Sequence, residues 1–247
     1  MNNEENQQFS FYRKLYNLRE DGVTSLPQLY DVITGPKLKR ITAEIRRLDT
    51  AGKEKQTKKL KLPLPLFAAS FRFPQERYND QAGEPTGYVL VDVDELSVPA
   101  ADYLERCKAS PFLALAYISA RGKGVHLICR AETDAATHAD VCRALYDTVE
   151  ATLGEPVDRG CTDLTRTSLL CHHAGCYYNP QAEPFRLPPR PTAPAHRQAA
   201  AHTGPLPLRK TNASSATSTR PTNGSPGAKA GATASWSASP SRSTAPG

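Results

Sequence analysis

The pattern of hydrophobic and polar positions is most regular between residues 87 and 171. Tyr88-Val89-Leu90-Val91-Asp92-Val93-Asp94 is a run of β-formers that closes on two carboxylates, which predicts a strand. An amphipathic helix follows around Pro99 to Cys107. Phe112 to Ile118 is apolar throughout, as a buried strand is, and Ser119 to Gly124 is a Gly-rich turn. Val125 to Arg130 then sets Val125, Leu127 and Cys129 against His126, Ile128 and Arg130, so that stretch completes a hairpin. Thr133 is a candidate cap for a long helix carrying Val141, Leu145 and Val149 at four-residue spacing, with Gly154 as its C-cap. A short strand near Thr167 to Cys171 ends the series. The predicted fold class is α+β. Its order is the ferredoxin/RRM-like β-α-β-β-α-β core, in which the first and third strands are neighbours at the centre of an antiparallel sheet.

Upstream, the pattern is helical. Ser25-Leu26-Pro27 with Leu29, Tyr30, Val32 and Ile33 reads as a capped helix that Gly35-Pro36 ends. A second helix places Leu38, Ile41, Ile45 and Leu48 at three- and four-residue spacing. Lys37, Lys39, Arg40, Arg46 and Arg47 lie around it, and the chain runs on into Lys53, Lys55, Lys58, Lys59 and Lys61. This is the densest basic cluster, and it reads either as a solvated face or as a phosphate-contacting surface. Downstream of Pro191 the chain is Ala, Ser, Thr, Pro and Gly with few large apolar residues. Such a composition cannot offset chain entropy. The expected organisation is a flexible N-terminus (1–8), a folded domain (9–190) with a helical, basic part (9–75) and a core (87–171), and a disordered tail (191–247).

Composition changes this picture in two places. The chain has 247 residues and a net charge of +6, but six of its 31 basic residues lie beyond Pro191, where no acid follows. The 25 that remain equal the 25 acidic residues, so global charge is no argument that the folded part binds nucleic acid. Met1 to Gln8 is polar and carries Glu4 and Glu5, unlike a secretory signal, and the seven-residue run Phe112 to Ile118 is far short of the ~20 residues that span a bilayer. A cytoplasmic protein with no membrane partner is expected. Its six cysteines are scattered and should remain thiols in a reducing compartment.

Residues two apart on a strand share a face, so Asp92 and Asp94 should stand side by side, a pair that repels unless a cation lies between. In the predicted sheet, His126 and Asp158 come to the same edge. Three carboxylates can hold two divalent ions, with His126, Arg121 and Lys123 positioned to meet a triphosphate. His126 could equally be a strand histidine satisfied by the backbone, and Arg121 and Lys123 exposed turn cations. Cys171-His172-His173-Ala174-Gly175-Cys176 contains zinc-type side chains, but the loop is too short to close a tetrahedron easily, and zinc is not expected.

Several stretches in order resemble the VirE N-terminal-type domain of bacterial mobile elements, a branch of the archaeo-eukaryotic primase superfamily. They are Ile45-Arg46-Arg47-Leu48, Lys59 to Pro63, Phe67 to Phe71, Gly87 to Leu96, Tyr117 to His126, Asp163 to Arg166 and Tyr177 to Pro180. The resemblance implies a primase or primase-polymerase that binds Mg²⁺ or Mn²⁺ as two ions and uses nucleoside triphosphates on a single-stranded DNA template. It implies Asp92 and Asp94 as metal ligands, a third ligand at Asp158 or alternatively Asp163, and a nucleotide contact at Gly124-Val125-His126, with Ser119, Arg121, Lys123 and Arg166 nearby. The chain departs from the family pattern at Ser119-Ala120-Arg121-Gly122, commonly Ser-Pro-Ser-Gly, and at His126, where Lys is frequent. It contains no Gly-x-x-x-x-Gly-Lys-Ser/Thr loop, so unwinding would fall to a separate helicase. A catalytically silent DNA-binding domain using the Lys37–Lys61 region is the alternative reading.

Overall fold

The computed structural model describes residues 8–187. The expected 191–247 tail and all of the flexible N-terminus except Gln8 lie outside the described residues. Strand β1 (Phe9–Tyr12) pairs antiparallel with β2 (Gly22–Thr24). Helix α1 (Leu26–Thr34) starts where the sequence predicts, the Ser25 N–H donating to Gln28 Oε1 at 3.0 Å, and stops at Gly35. A 3₁₀ turn at Pro36–Leu38 leads into α2 (Lys39–Thr50), which buries Thr42, Ile45 and Leu48. It packs against α3 (Glu54–Lys61). Strand β3 (Leu66–Ala68) is buried along its length.

The core follows with boundaries close to those expected. Strand β4 spans Tyr88–Val93, α4 Ala100–Cys107, β5 Leu113–Ile118, β6 Val125–Arg130 and α5 His138–Leu153, followed by β7 (Thr167–Leu169) and β8 (Tyr177–Tyr178). One boundary moves: α5 begins after Thr137 rather than at Thr133. Asp134 Oδ1 gathers the Ala136 and Thr137 N–H groups and the Thr137 hydroxyl, which holds residues 134–137 as a turn.

The described residues form an α+β fold of two antiparallel four-stranded sheets and five α-helices. The sheet orders are β2-β1-β3-β7 and β4-β6-β5-β8. As expected, β4 pairs with β6, with Asp92 opposite His126 and Val93 opposite Val125, and β5 and β6 form a hairpin. The last strand corrects the expectation. It does not flank β4; β7 leaves for the other sheet, where Ser168 faces Phe67 on β3. The position beside β4 is taken instead by the loop after α5. There the Asp158 N–H donates to the Asp92 carbonyl at 2.9 Å, and the Tyr146 hydroxyl ties the Leu90 and Cys161 carbonyls together. β4 is therefore an edge strand rather than a central one. The N-terminal part is corrected as well, since it supplies three strands of the second sheet besides its helices.

Both faces of the β4-β6-β5-β8 sheet are covered. Val89, Val91, Val93, Val125 and Leu127 pack against Tyr103, Leu104, Leu145 and Tyr146 of α4 and α5. The opposite face, with Leu90, Leu115, Tyr117 and Ile128, packs against Phe9, Phe67, Leu29, Ile33 and Ile45. Asp92 and His126 alternate with the valines and so fall on this second face, under the seam between the two sheets. Among the described residues, no helix is long and apolar enough to cross a membrane.

Candidate active site

The end of β4, the 119–124 turn and β7 enclose a cavity of about 110 Å³. Asp92, Asp94, Ser119, Arg121 and His126, all candidate site residues of the sequence, line it, and Lys61, Ala120, Thr167 and Leu169 complete the wall. Backbone geometry makes the convergence strict. A Cβ on Gly124 would lie 2.3 Å from the Val93 carbonyl oxygen and 3.0 Å from Asp94 Oδ1, so only glycine lets the turn approach the acids this closely. Gly122 has φ +82°, and the Arg46 side chain lies beneath it. Arg46 donates from Nη2 to the Ser119 carbonyl at 3.2 Å, fixing the turn from α2. Glu95, just past Asp94, holds φ +45°, a conformation that costs on the order of 1–3 kcal/mol in a residue with a side chain. Its carboxylate is paired with Arg121 at 2.7 Å.

Asp92 stands between two neighbours. On the β6 side, His126 Nε2 is 3.7 Å from Asp92 Oδ1, and that oxygen is buried with no hydrogen-bond donor. On the other edge of β4, against the loop after α5, Asp92, Asp158 and Cys161 bring one ligand atom each to within 4.8 Å of one another. The Cys161 thiol donates to Asp158 Oδ2 at 3.1 Å, and with the Gly160 N–H at 2.9 Å it holds the Asp158 carboxyl below the usual carboxylate range. Burial pushes the Cys161 thiol up to about 12, so it remains a donor. Arg166 donates to Asp158 Oδ2 at 2.8 Å and also reaches the Cys161 sulfur.

His126 is anchored from behind. Its Nδ1 is 2.6 Å from Ser168 Oγ, which lies 2.6 Å from the Tyr117 hydroxyl, and that hydroxyl donates to the Leu169 carbonyl at 3.0 Å. All three side chains are buried. Sequence reading missed Ser168 and Tyr117 because a hydroxyl inside an apolar strand gives no signal until its partner strand is known. Cys161 carried a faint one, the Asp158-x-x-Cys161 spacing on a loop.

The expected residues divide clearly. Asp158 rather than Asp163 joins Asp92, since Asp163 Oδ1 accepts the Thr165 hydroxyl at 2.5 Å and is absent from the Asp92 group. Asp94 also stands outside that group, with Arg121 3.8 Å from its Oδ1. Lys123 is drawn away from the cavity to Asp49 Oδ2 at 2.8 Å. In the basic cluster, Arg47 is paired with Glu44 and Lys58 with Glu54, and Arg46 serves the turn. Lys37, Lys39, Arg40 and Lys59 are exposed with no ion pair among the described residues, and Lys61 reaches the cavity. The cysteine–histidine loop is consumed by the fold. Its Cys171 thiol donates to the Ile118 carbonyl, His172 Nδ1 contacts the Ile33 and Gly35 carbonyls, and His173 Nδ1 accepts the Ile118 N–H.

Residues 57–178 match the family described as BT4734-like, N-terminal domain. The matched stretch contains every cavity-lining residue, together with Asp158, Cys161, Arg166 and Ser168, and it excludes the cations of α2. No curated protein and no solved structure matches the chain.

Proposed function

We propose that the chain is a metal-dependent nucleotidyltransferase of the primase or primase-polymerase type, acting on single-stranded DNA for mobile-element replication. One observation carries the reading: Asp92, with a buried oxygen that has no donor, stands between Asp158 and His126 at a cavity also lined by Asp94 and Arg121. Carboxylates gathered so closely repel, and an orphaned buried oxygen is costly, so the residues fit a cation. Asp92 and Asp158 would hold it, with Asp94 on the cavity wall as the expected third acid. Bound Mg²⁺ or Mn²⁺ would supply activation of an attacking hydroxyl and stabilisation of a departing pyrophosphate.

The remaining roles belong to the chain's own side chains. Arg121 and Lys61 line the cavity and would pair with the phosphates of a nucleoside triphosphate. Arg46 keeps the 119–124 turn, and therefore Ser119 and Arg121, in place. Arg166 balances Asp158 and positions it. The resemblance to the VirE N-terminal-type domain supports the same chemistry.

The test is nucleotide incorporation on single-stranded DNA by the full chain, with and without a primer, in Mg²⁺ and in Mn²⁺. Products that require metal are expected. Their absence from folded protein, in both metals and with a primer present, would overturn the reading. A second reading rests on the exposed cations Lys37, Lys39, Arg40 and Lys59, of which Arg40 lines a groove of about 580 Å³ with Ile41, Arg47 and Leu60. On that reading the domain binds DNA without catalysis, and DNA affinity without incorporation would favour it.

A further inference from the structure

The hydrogen-bond chain behind His126 has a direction. A tyrosine hydroxyl has one proton, and the three contacts of the chain are all hydrogen bonds only when that of Tyr117 goes to the Leu169 carbonyl, which can only accept. Tyr117 must therefore accept from Ser168, whose single proton is then spent. Ser168 in turn must accept from His126, so the imidazole proton sits on Nδ1. The neutral ring then presents the lone pair of Nε2 to the cavity, facing Asp92 Oδ1 at 3.7 Å. That oxygen has no donor of its own, and 3.7 Å is too long for a hydrogen bond between the two. Two acceptors thus face each other across a gap at the buried end of the cavity.

The geometry points to His126 as a metal ligand, paired with Asp92 Oδ1, for a divalent first-row ion that accepts imidazole, such as Mn²⁺, Co²⁺ or Zn²⁺. An ion about 2.1 Å from each of two donor atoms leaves them about 3–4 Å apart, and the observed separation lies in that range. Mg²⁺ favours oxygen ligands and dehydrates reluctantly, whereas imidazole suits the later metals. The Ser168–Tyr117 chain is the outer support such a ligand requires, fixing both tautomer and ring orientation. This assignment rests on the reading of Asp92 as a metal ligand, and it makes His126 a ligand rather than a phosphate donor.

The test uses ¹⁵N-histidine-labelled full chain, first stripped of metal and then titrated with Zn²⁺, which is diamagnetic. The expected spectrum shows His126 protonated on Nδ1, with the Nε2 resonance shifting on saturation with Zn²⁺. In calorimetry, His126→Gln and Ser168→Ala should each weaken Zn²⁺ binding by about 10- to 100-fold and leave Mg²⁺ affinity within about twofold. Protonation on Nε2, an Nε2 resonance that ignores saturating Zn²⁺, or unchanged Zn²⁺ affinity in His126→Gln would each overturn the assignment. The wild-type spectrum decides the tautomer even if a variant fails to fold. Nucleotide incorporation is scored separately, so failure of the nucleotidyl-transfer reading leaves a distinct signature.

Discussion

Single residues hold this site at distances where a carbon atom matters. Gly124 is the clearest case, because an added Cβ would meet backbone oxygen at 2.3 Å rather than a side chain able to swing aside. Gly124→Ala should therefore destabilise the domain by about 1–3 kcal/mol, the usual cost of overpacking, and push Asp94 away from the 119–124 turn. A lowered urea midpoint at unchanged slope would register the first effect, and a midpoint equal to wild type would contradict the close approach. His173 gives a second prediction at this scale. Burial pushes its pKa down to about 4 from 6.5, and its Nδ1 accepts the Ile118 N–H at the end of β5. Between these values the unfolded chain binds more protons than the folded one, so stability rises with pH across that window. Its contribution is whole above about pH 6.5 and is lost as pH falls towards 4. His173→Asn, which keeps an acceptor without a titrating ring, should flatten the acid limb of a plot of melting temperature against pH. An unchanged limb would count against a neutral, buried His173.

Elements show what the sequence could and could not reveal. The β5–β6 hairpin was legible because Phe112 to Ile118 and the alternation of Val125 to Arg130 flank a short Gly-rich turn. The pairing of Asp92 with His126 follows from the same local logic. β1, β2 and β3 were not legible in the same way, and β7 was legible as a strand near Thr167 but not in its pairing with β3. Each spans only three or four residues, and Phe9-Ser10-Phe11-Tyr12 is apolar at three of its four positions, so no period emerges. Their pairing is also non-local, Phe67 with Ser168, a register that no window of sequence contains. The Asp158 loop takes the place of β7 at the β4 edge through one backbone hydrogen bond and the Tyr146 hydroxyl, a tertiary effect without a propensity signal. The basic helices were legible in charge but not in use, for their cations divide between ion pairs, turn support and open surface. Reversing Lys37, Lys39, Arg40 and Lys59 together to Glu should weaken single-stranded DNA binding and lower the slope of log affinity against log salt by about 0.7 for each phosphate no longer neutralised. An unchanged slope would mean that α2 and α3 present only a solvated face.

At the scale of the whole folded unit, the site exists because two sheets share one core. Phe9 and Phe67 from one sheet and Leu90, Leu115 and Ile128 from the other pack in the same cluster, and the cavity opens where that cluster gives way to Asp92, His126 and Thr167. The β4-β6-β5-β8 sheet supplies Asp92 and His126, while the other supplies Ser168 and a wall. Neither half holds the arrangement alone, which is why the stretch 87–171 displays the acids in its sequence, whereas Tyr117 and Ser168, also within it, become the support behind His126 only once β7 pairs with β3. The central claim, that this arrangement performs metal-dependent nucleotidyl transfer, is tested most directly by Asp92→Asn, measured for nucleotide incorporation and for DNA affinity in the same preparation. Nearly isosteric, the substitution removes the charge that would hold the ion. The account predicts incorporation lowered by a factor of about 100 or more, on the scale of about 3 kcal/mol of transition-state stabilisation, with DNA affinity within about twofold of wild type. Incorporation that survives in Asp92→Asn would contradict it.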